Sequence, residues 1–140
     1  MPKSAQFTLL AKDGQWLTET LDSIYALVAK YRTISVLCAD QDKLQQLDEM
    51  LWQNAREQFV TFKLQNNQNN SREAVLLCNQ FDNQVRRPAL VNLGYPLTDE
   101  QLVFNHIEAI VLTDDETVDN ARRQYKMYRN AGYQIEHIQK

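Results

Sequence analysis

Four cations fall within eight residues near the end of this 140-residue chain: Arg122, Arg123, Lys126 and Arg129. Arg122, Tyr125, Lys126 and Arg129 stand at i, i+3, i+4 and i+7, so on a helix they share one face. A tyrosine ring among three cations suits a short acidic peptide bearing an aromatic group, or a phosphate backbone. The alternative is a solvated face whose cations complement the negative end of the helix.

A second cluster is apolar. Leu47-Asp48-Glu49-Met50-Leu51-Trp52 is followed by Phe59, Val60 and Phe62. Helical geometry puts Leu47 and Leu51 on one side and turns Trp52 about 100° away from Leu51. Trp52 is therefore expected at the rim of the core, where Trp and Phe serve as anchors for protein partners. An ordinary core tryptophan is the competing reading.

Other chemistries find less support. Asp40 and Asp42, then Asp114, Asp115 and Glu116, follow two expected strands. Ligands bind at the carboxyl ends of parallel strands, so a magnesium or phosphoryl-acceptor site is one reading. Helix capping is the other. A receiver-type phosphorylation site wants carboxylates right after the first strand, where this chain has Ala11-Lys12. Only three glycines occur, Gly14, Gly94 and Gly132, far apart. Phosphate-cradling loops need clustered glycines, so neither a Walker-type loop nor a G-x-G-x-x-G turn is present. No G-x-S-x-G elbow exists, and His106 and His137 show no partner pattern. Cys38 and Cys78 sit in apolar runs without the spacing of a zinc site and read as reduced core residues. No cofactor or metal is expected.

The net charge is −3, whereas a general nucleic-acid binder more often carries a strong positive excess. No apolar run approaches the roughly 20 residues of a membrane span, and the start lacks a signal-peptide pattern. A cytoplasmic location is expected, with no membrane partner.

The elements that must position these residues follow from periodicity. Ala5–Ala11 reads as a strand ending at Asp13-Gly14. Leu17, Leu21, Ile24, Val28 and Tyr31 recur at helical spacing and predict a helix over Gln15–Tyr31. Thr33–Cys38 is a continuous apolar run, as in a buried parallel strand. Asp40 caps a second helix bearing Leu44, Leu47 and Leu51. Strands are expected at Gln58–Leu64, Ala74–Cys78, Ala89–Leu93 and Ile107–Leu112, with a polar loop over Gln65–Ser71. Thr98–Gln101 resembles a capping box opening a short helix. Thr113–Glu116 starts a last helix that runs to Asn130 and ends at Gly132. Tyr133–Ile138 closes the sheet edge. This alternation predicts one domain over residues 1–140, an α/β layer sandwich around a mostly parallel, mixed sheet.

As a set, these residues resemble the chi-subunit family of bacterial DNA polymerase III. The resemblance rests on FTLL near the start, SVLCADQDKLQQLDEMLWQ with its LDE-LW core, QFVTFKL, PALVNL and F-(x)5-IVL. It closes on A-R-x-x-Y-K-x-Y-R-x-A-G-Y, here Ala121 through Tyr133. The match runs in order along nearly the whole chain. LDE-LW and the closing signature are its most specific pieces.

The resemblance implies a Rossmann-like domain without nucleotide chemistry. It also implies a noncatalytic accessory subunit that bridges the psi subunit to the acidic C-terminal tail of single-stranded DNA-binding protein (SSB), and so meets DNA only indirectly. A helicase of the XPD-like type is a further implied partner, at the psi-binding surface. By motif position, Arg122, Tyr125, Lys126 and Arg129 would form the tail site, with Val111 contributing apolar contact. Trp52, Phe59 and Phe62 fall on the psi and helicase surface, where Thr61-Phe62 stands in place of the family's usual Pro-His. The SSB tail ends in aspartates, then Ile-Pro-Phe and a free carboxylate, and arginine holds a carboxylate bidentately. Two rival readings of the residues remain: direct binding of single-stranded nucleic acid through the basic helix, and a small enzyme using the acids near Asp40 and Asp114.

Overall fold

Apolar runs form strands, and the amphipathic stretches form the helices between them. A computed structural model describes residues 3–58, 62–64, 74–82 and 87–139, and of residues 13, 52, 54–58 and 62–64, which include Trp52 and Phe62, the backbone alone. The order is β1 (Ser4–Leu9), α1 (Trp16–Tyr31), β2 (Ile34–Leu37), α2 (Gln41–Gln58), β3 (Phe62–Leu64), β4 (Val75–Cys78), β5 (Ala89–Asn92), β6 (His106–Val111), α3 (Asp115–Asn130) and β7 (Gln134–Gln139).

The strands form a seven-stranded sheet in the order β3-β4-β2-β5-β6-β1-β7. Every described pairing is parallel. The expected layer sandwich is therefore present, and its sheet goes further than mostly parallel. No mixed edge is seen among the described strands, since β7 too is parallel, because α3 returns the chain to the end from which β6 started. Sheets of this kind need cover on both faces. Here α1 and α2 cover one face through Leu21, Ile24, Leu27, Leu44, Leu47 and Leu51. The other face carries α3 together with Leu97, Leu102 and Phe104 from the β5–β6 connection.

The alternation expected to make a strand of Gln58–Leu64 resolves differently. Helix α2 continues through Gln58, and β3 is confined to Phe62–Leu64. The stretch Gln53–Gln58 contains Ala, Arg, Glu and Gln, all good helix formers, which favours continuation. Phe59 and Thr61, and the polar loop Gln65–Ser71, lie outside the described residues. The capping box at Thr98 opens a single 3-10 turn, Asp99–Gln101, with the Thr98 amide donating to Gln101 Oε1 at 3.0 Å.

Helix α3 ends in a Schellman arrangement. The Tyr133 amide donates to Tyr128 O at 3.0 Å and the Gly132 amide to Arg129 O at 3.1 Å. The residue between them must turn left-handed, and Gly132 does so at φ 91°. The turn consumes Tyr133, so β7 begins at Gln134.

Cys38 and Cys78 are both buried and free. Burial pushes the Cys78 thiol up to about 12, against a smaller opposing pull from Arg87. Cys38 is raised by the same cause. No helix among the described residues is long and apolar enough to cross a membrane.

Candidate partner-binding site

The basic stripe owes its position to the opposite, buried face of α3. Asp114 caps the helix, its carboxylate accepting from the Thr117 amide at 3.0 Å. The fully inward residues are Asn120, Gln124 and Tyr128, at i, i+4 and i+8. Each is tied to the end of β5 or to the chain that follows it. Asn120 Nδ2 donates to Gly94 O at 3.1 Å, Gln124 Nε2 to Leu97 O at 3.0 Å, and Asn92 Nδ2 to the Tyr128 hydroxyl at 3.2 Å. These three polar anchors, together with the apolar packing of Val118, Ala121 and the Tyr128 ring, fix the rotation of α3. That rotation leaves Tyr125 half-buried and sends Arg122, Lys126 and Arg129 outward.

Between α3 and the sheet edge lies a groove of about 420 Å³. Val111, Leu9 and Phe7 form its floor, Val118, Ala121 and Tyr125 its helix wall, and Arg122, Lys126 and His137 its rim. Phe7 and Val111 are almost wholly buried. Strand register explains the floor, because Leu9 and Val111 are direct partners in β1–β6 and Phe7 and His137 are direct partners in β1–β7. Tyr125 sits 6.1 Å from the Phe7 ring and 5.3 Å from the His137 ring, centre to centre.

Of the sequence candidates, Arg122, Tyr125, Lys126 and Val111 meet in this groove. Arg129 does not line it; it lies two turns beyond Arg122 in the last turn of α3, about 10 Å along the axis. Arg122 is largely free in solvent, with a loose 3.6 Å contact to Asp119 between two well-exposed side chains. Among the described residues no carboxylate lines the groove. An apolar slot with cations at its mouth can seat an aromatic side chain while pairing with acids beside it.

Sequence reasoning missed Phe7, Leu9 and His137. The signal for Phe7 and Leu9 was present in the alternation of β1, but the identity of its neighbours was not. His137 looked isolated because its partners lie on other elements.

At the second predicted surface, α2 carries Trp52 and β3 starts at Phe62. Phe59 lies outside the described residues.

Of the acids suspected of metal or phosphoryl chemistry, Asp40, Asp114 and Glu116 border a separate cleft of about 240 Å³ at the carboxyl edge of the sheet, and Asp42 and Asp115 do not line it. Asp40 and Asp114 line it and act as caps. Asp40 Oδ1 accepts from the Asp42 amide at 2.9 Å and the Lys43 amide at 3.3 Å. Slight desolvation pushes the Asp40 carboxyl up, but these amides and the Lys43 charge together outweigh it and hold it below the ordinary value. Among the described residues no group of three or more His, Cys, Asp or Glu is placed to hold a metal ion.

Comparison with known proteins identifies the architecture. The family described as "DNA polymerase III chi subunit, HolC" matches residues 2–136. The chain belongs to the DNA polymerase III chi-subunit family. The chi subunit of Escherichia coli strain K12 is 27% identical over 142 residues, covering 95% of each chain. The chi subunit of Haemophilus influenzae Rd is 27% identical over 147 residues, covering 96% of each. The C-terminal domain of S. cerevisiae Dbp5, solved bound to Gle1 and IP6, superposes with a TM-score of 0.63. That match covers 97% of this chain and 90% of the other at 9% identity, so it speaks to the α/β fold alone. Membership of the chi family makes this chain an accessory subunit associated with the replicative polymerase.

Proposed function

We propose that the chain is a noncatalytic adaptor that links the clamp-loader side of the polymerase, through psi, to the acidic tail of SSB. The observation that carries this reading is the groove beside α3, apolar within and cationic at its mouth, in a protein whose net charge is −3. The tail's terminal phenylalanine enters between Tyr125 and Val111. Arg122 takes the terminal carboxylate, and Lys126 meets the aspartates. Burial of one phenyl ring contributes about 2 kcal/mol, and charge-assisted hydrogen bonds add to it. A contact this small gives micromolar affinity that weakens with salt.

The psi surface, and with it the surface for an XPD-like helicase, is assigned to the region of Trp52, Phe59 and Phe62. Association there is dominated by apolar burial, so it is tighter and less salt-sensitive than tail binding. A weak tail contact joined to a firm psi contact raises the concentration of polymerase near SSB-coated template.

The test is a pull-down with SSB that has or lacks its last residues, using the wild-type chain and Arg122→Ala. Capture that depends on both the tail and Arg122 supports the reading. Equal capture of tail-less SSB, or unchanged capture by the variant, overturns it.

A further inference from the structure

The rim of the groove contains a histidine that the basic stripe does not account for. His137 is on β7, opposite Phe7 in the β1–β7 register. Its ring stacks on Phe7 at 5.7 Å and 21°, and Tyr125 approaches it at 5.3 Å and 38°. The imidazole is thus set against two aromatic faces while remaining exposed. Ring faces attract a cation, so this setting tolerates an imidazolium. The titratable or charged groups around it are Arg122, Tyr125 and Lys126 from α3. Neither β1 nor β6 contributes any, as their lining residues are Phe7, Leu9 and Val111. Glu136 is next to it on β7, where alternation points it to the opposite face.

Arg122 and Lys126 share the groove with His137, so an anionic ligand seated there meets all three side chains. A negative charge beside a basic group favours its protonated form. Coupling between two binding events is reciprocal. A ligand that draws a proton onto His137 must bind more tightly when the proton is already there.

We propose that His137 is a proton-controlled third cation of this groove, so that capture of an acidic C-terminal peptide strengthens as pH falls through the range where histidine titrates. This rests on the groove being the tail site, and it adds a residue and a regulation to it.

The experiment titrates full-length protein with an acetylated Asp-Asp-Asp-Ile-Pro-Phe peptide bearing a free carboxylate, at constant ionic strength. Binding is compared at about pH 6 and about pH 7.5, between which histidine changes charge. The peptide's carboxylates stay ionised over this window, since aspartate titrates near 3.9. Wild type should bind roughly two- to fivefold tighter at the lower pH, as one exposed charge contact would give. His137→Gln should lose that slope and bind at the weaker level. His137→Lys should bind at the stronger level at both pH values, and both variants should melt like wild type. Wild-type slope retained in His137→Gln, or no slope in wild type despite binding, overturns the inference and leaves the tail reading standing. Absence of peptide binding by wild type at either pH overturns both.

Discussion

Asn92 and Tyr128 form a buried polar link between the end of β5 and the inner face of α3, with Asn92 Nδ2 donating to the Tyr128 hydroxyl at 3.2 Å. Asn92 is 2% exposed and Tyr128 0%. The same amide group also donates to Tyr95 O at 3.1 Å and accepts from the Tyr95 amide at 2.6 Å. Removing Asn92 orphans three groups, whereas removing the Tyr128 hydroxyl leaves Asn92 partnered. Asn92→Leu should therefore cost about 3 kcal/mol and Tyr128→Phe about 1 kcal/mol in urea unfolding. Equal costs would show that the amide is not the hub.

Alkali should act through the same region. Burial pushes the Tyr128 phenol well up, an effect only partly offset by the Asn92 hydrogen bond. Burial likewise pushes Tyr133 up to about 12. A phenol's ordinary value is near 10. Stability from these groups is complete below that value and is lost as pH rises above it, because the unfolded chain gives up its protons first. Tyr133→Phe should move the alkaline unfolding midpoint upward, as followed by circular dichroism, offset by the lost hydrogen bond at neutral pH.

Within the basic stripe, position in the groove should set the effect of substitution. Arg122→Ala should reduce tail-peptide affinity at least tenfold, the scale of one charge-assisted bidentate contact. Lys126→Ala should have a smaller effect and Arg129→Ala the smallest, because Arg129 does not line the groove. Fluorescence polarisation with labelled peptide checks the order. A dominant Arg129 would mean that the peptide runs along the outside of α3 instead.

The helix that carries the stripe should be sensitive at its last turn. Gly132 has φ 91°, and an added Cβ would meet nothing within 4 Å. The cost of Gly132→Ala is thus backbone conformation alone, about 1 kcal/mol. Thermal unfolding measures it, and hydrogen exchange should show the loss concentrated near Arg129 and Asn130.

Both thiols should be inert in the native protein. Burial raises Cys38 and Cys78, so almost no thiolate exists near pH 8 and access is closed. Iodoacetamide followed by mass spectrometry should label neither without denaturant. Fast native labelling of either would require local opening of β2 or β4.

The helical and strand periods were readable in the chain. Leu21, Ile24, Leu44, Leu47 and Leu51 all reached the core as their spacing required. The caps at Asp40 and Asp114 were readable too, since a carboxylate before a helix needs only local amides. What stayed hidden was polar burial. Asn120, Gln124 and Tyr128 face inward because their partners are carbonyls and an amide some thirty residues away, which no local pattern encodes. His106 is similar. It looked unpartnered, yet its Nδ1 lies 2.6 Å from Ser4 Oγ and its Nε2 3.2 Å from Glu108 Oε2. The cation stripe was legible as a helix face. The apolar floor under it depended on β1, contributed from more than a hundred residues upstream.

The placement of β1 between β6 and β7 governs when the groove can exist. Ser4 pairs with both His106 and Gln134, so β1 has no lateral neighbour until β6 and β7 have been synthesised. Pairings so distant in sequence are slow to form and leave apolar edges open meanwhile. Nascent chains halted before β6 should therefore hold Phe7 unburied and be prone to chaperone capture. The groove is completed in one late step, as β6, α3 and β7 close around a strand made long before them.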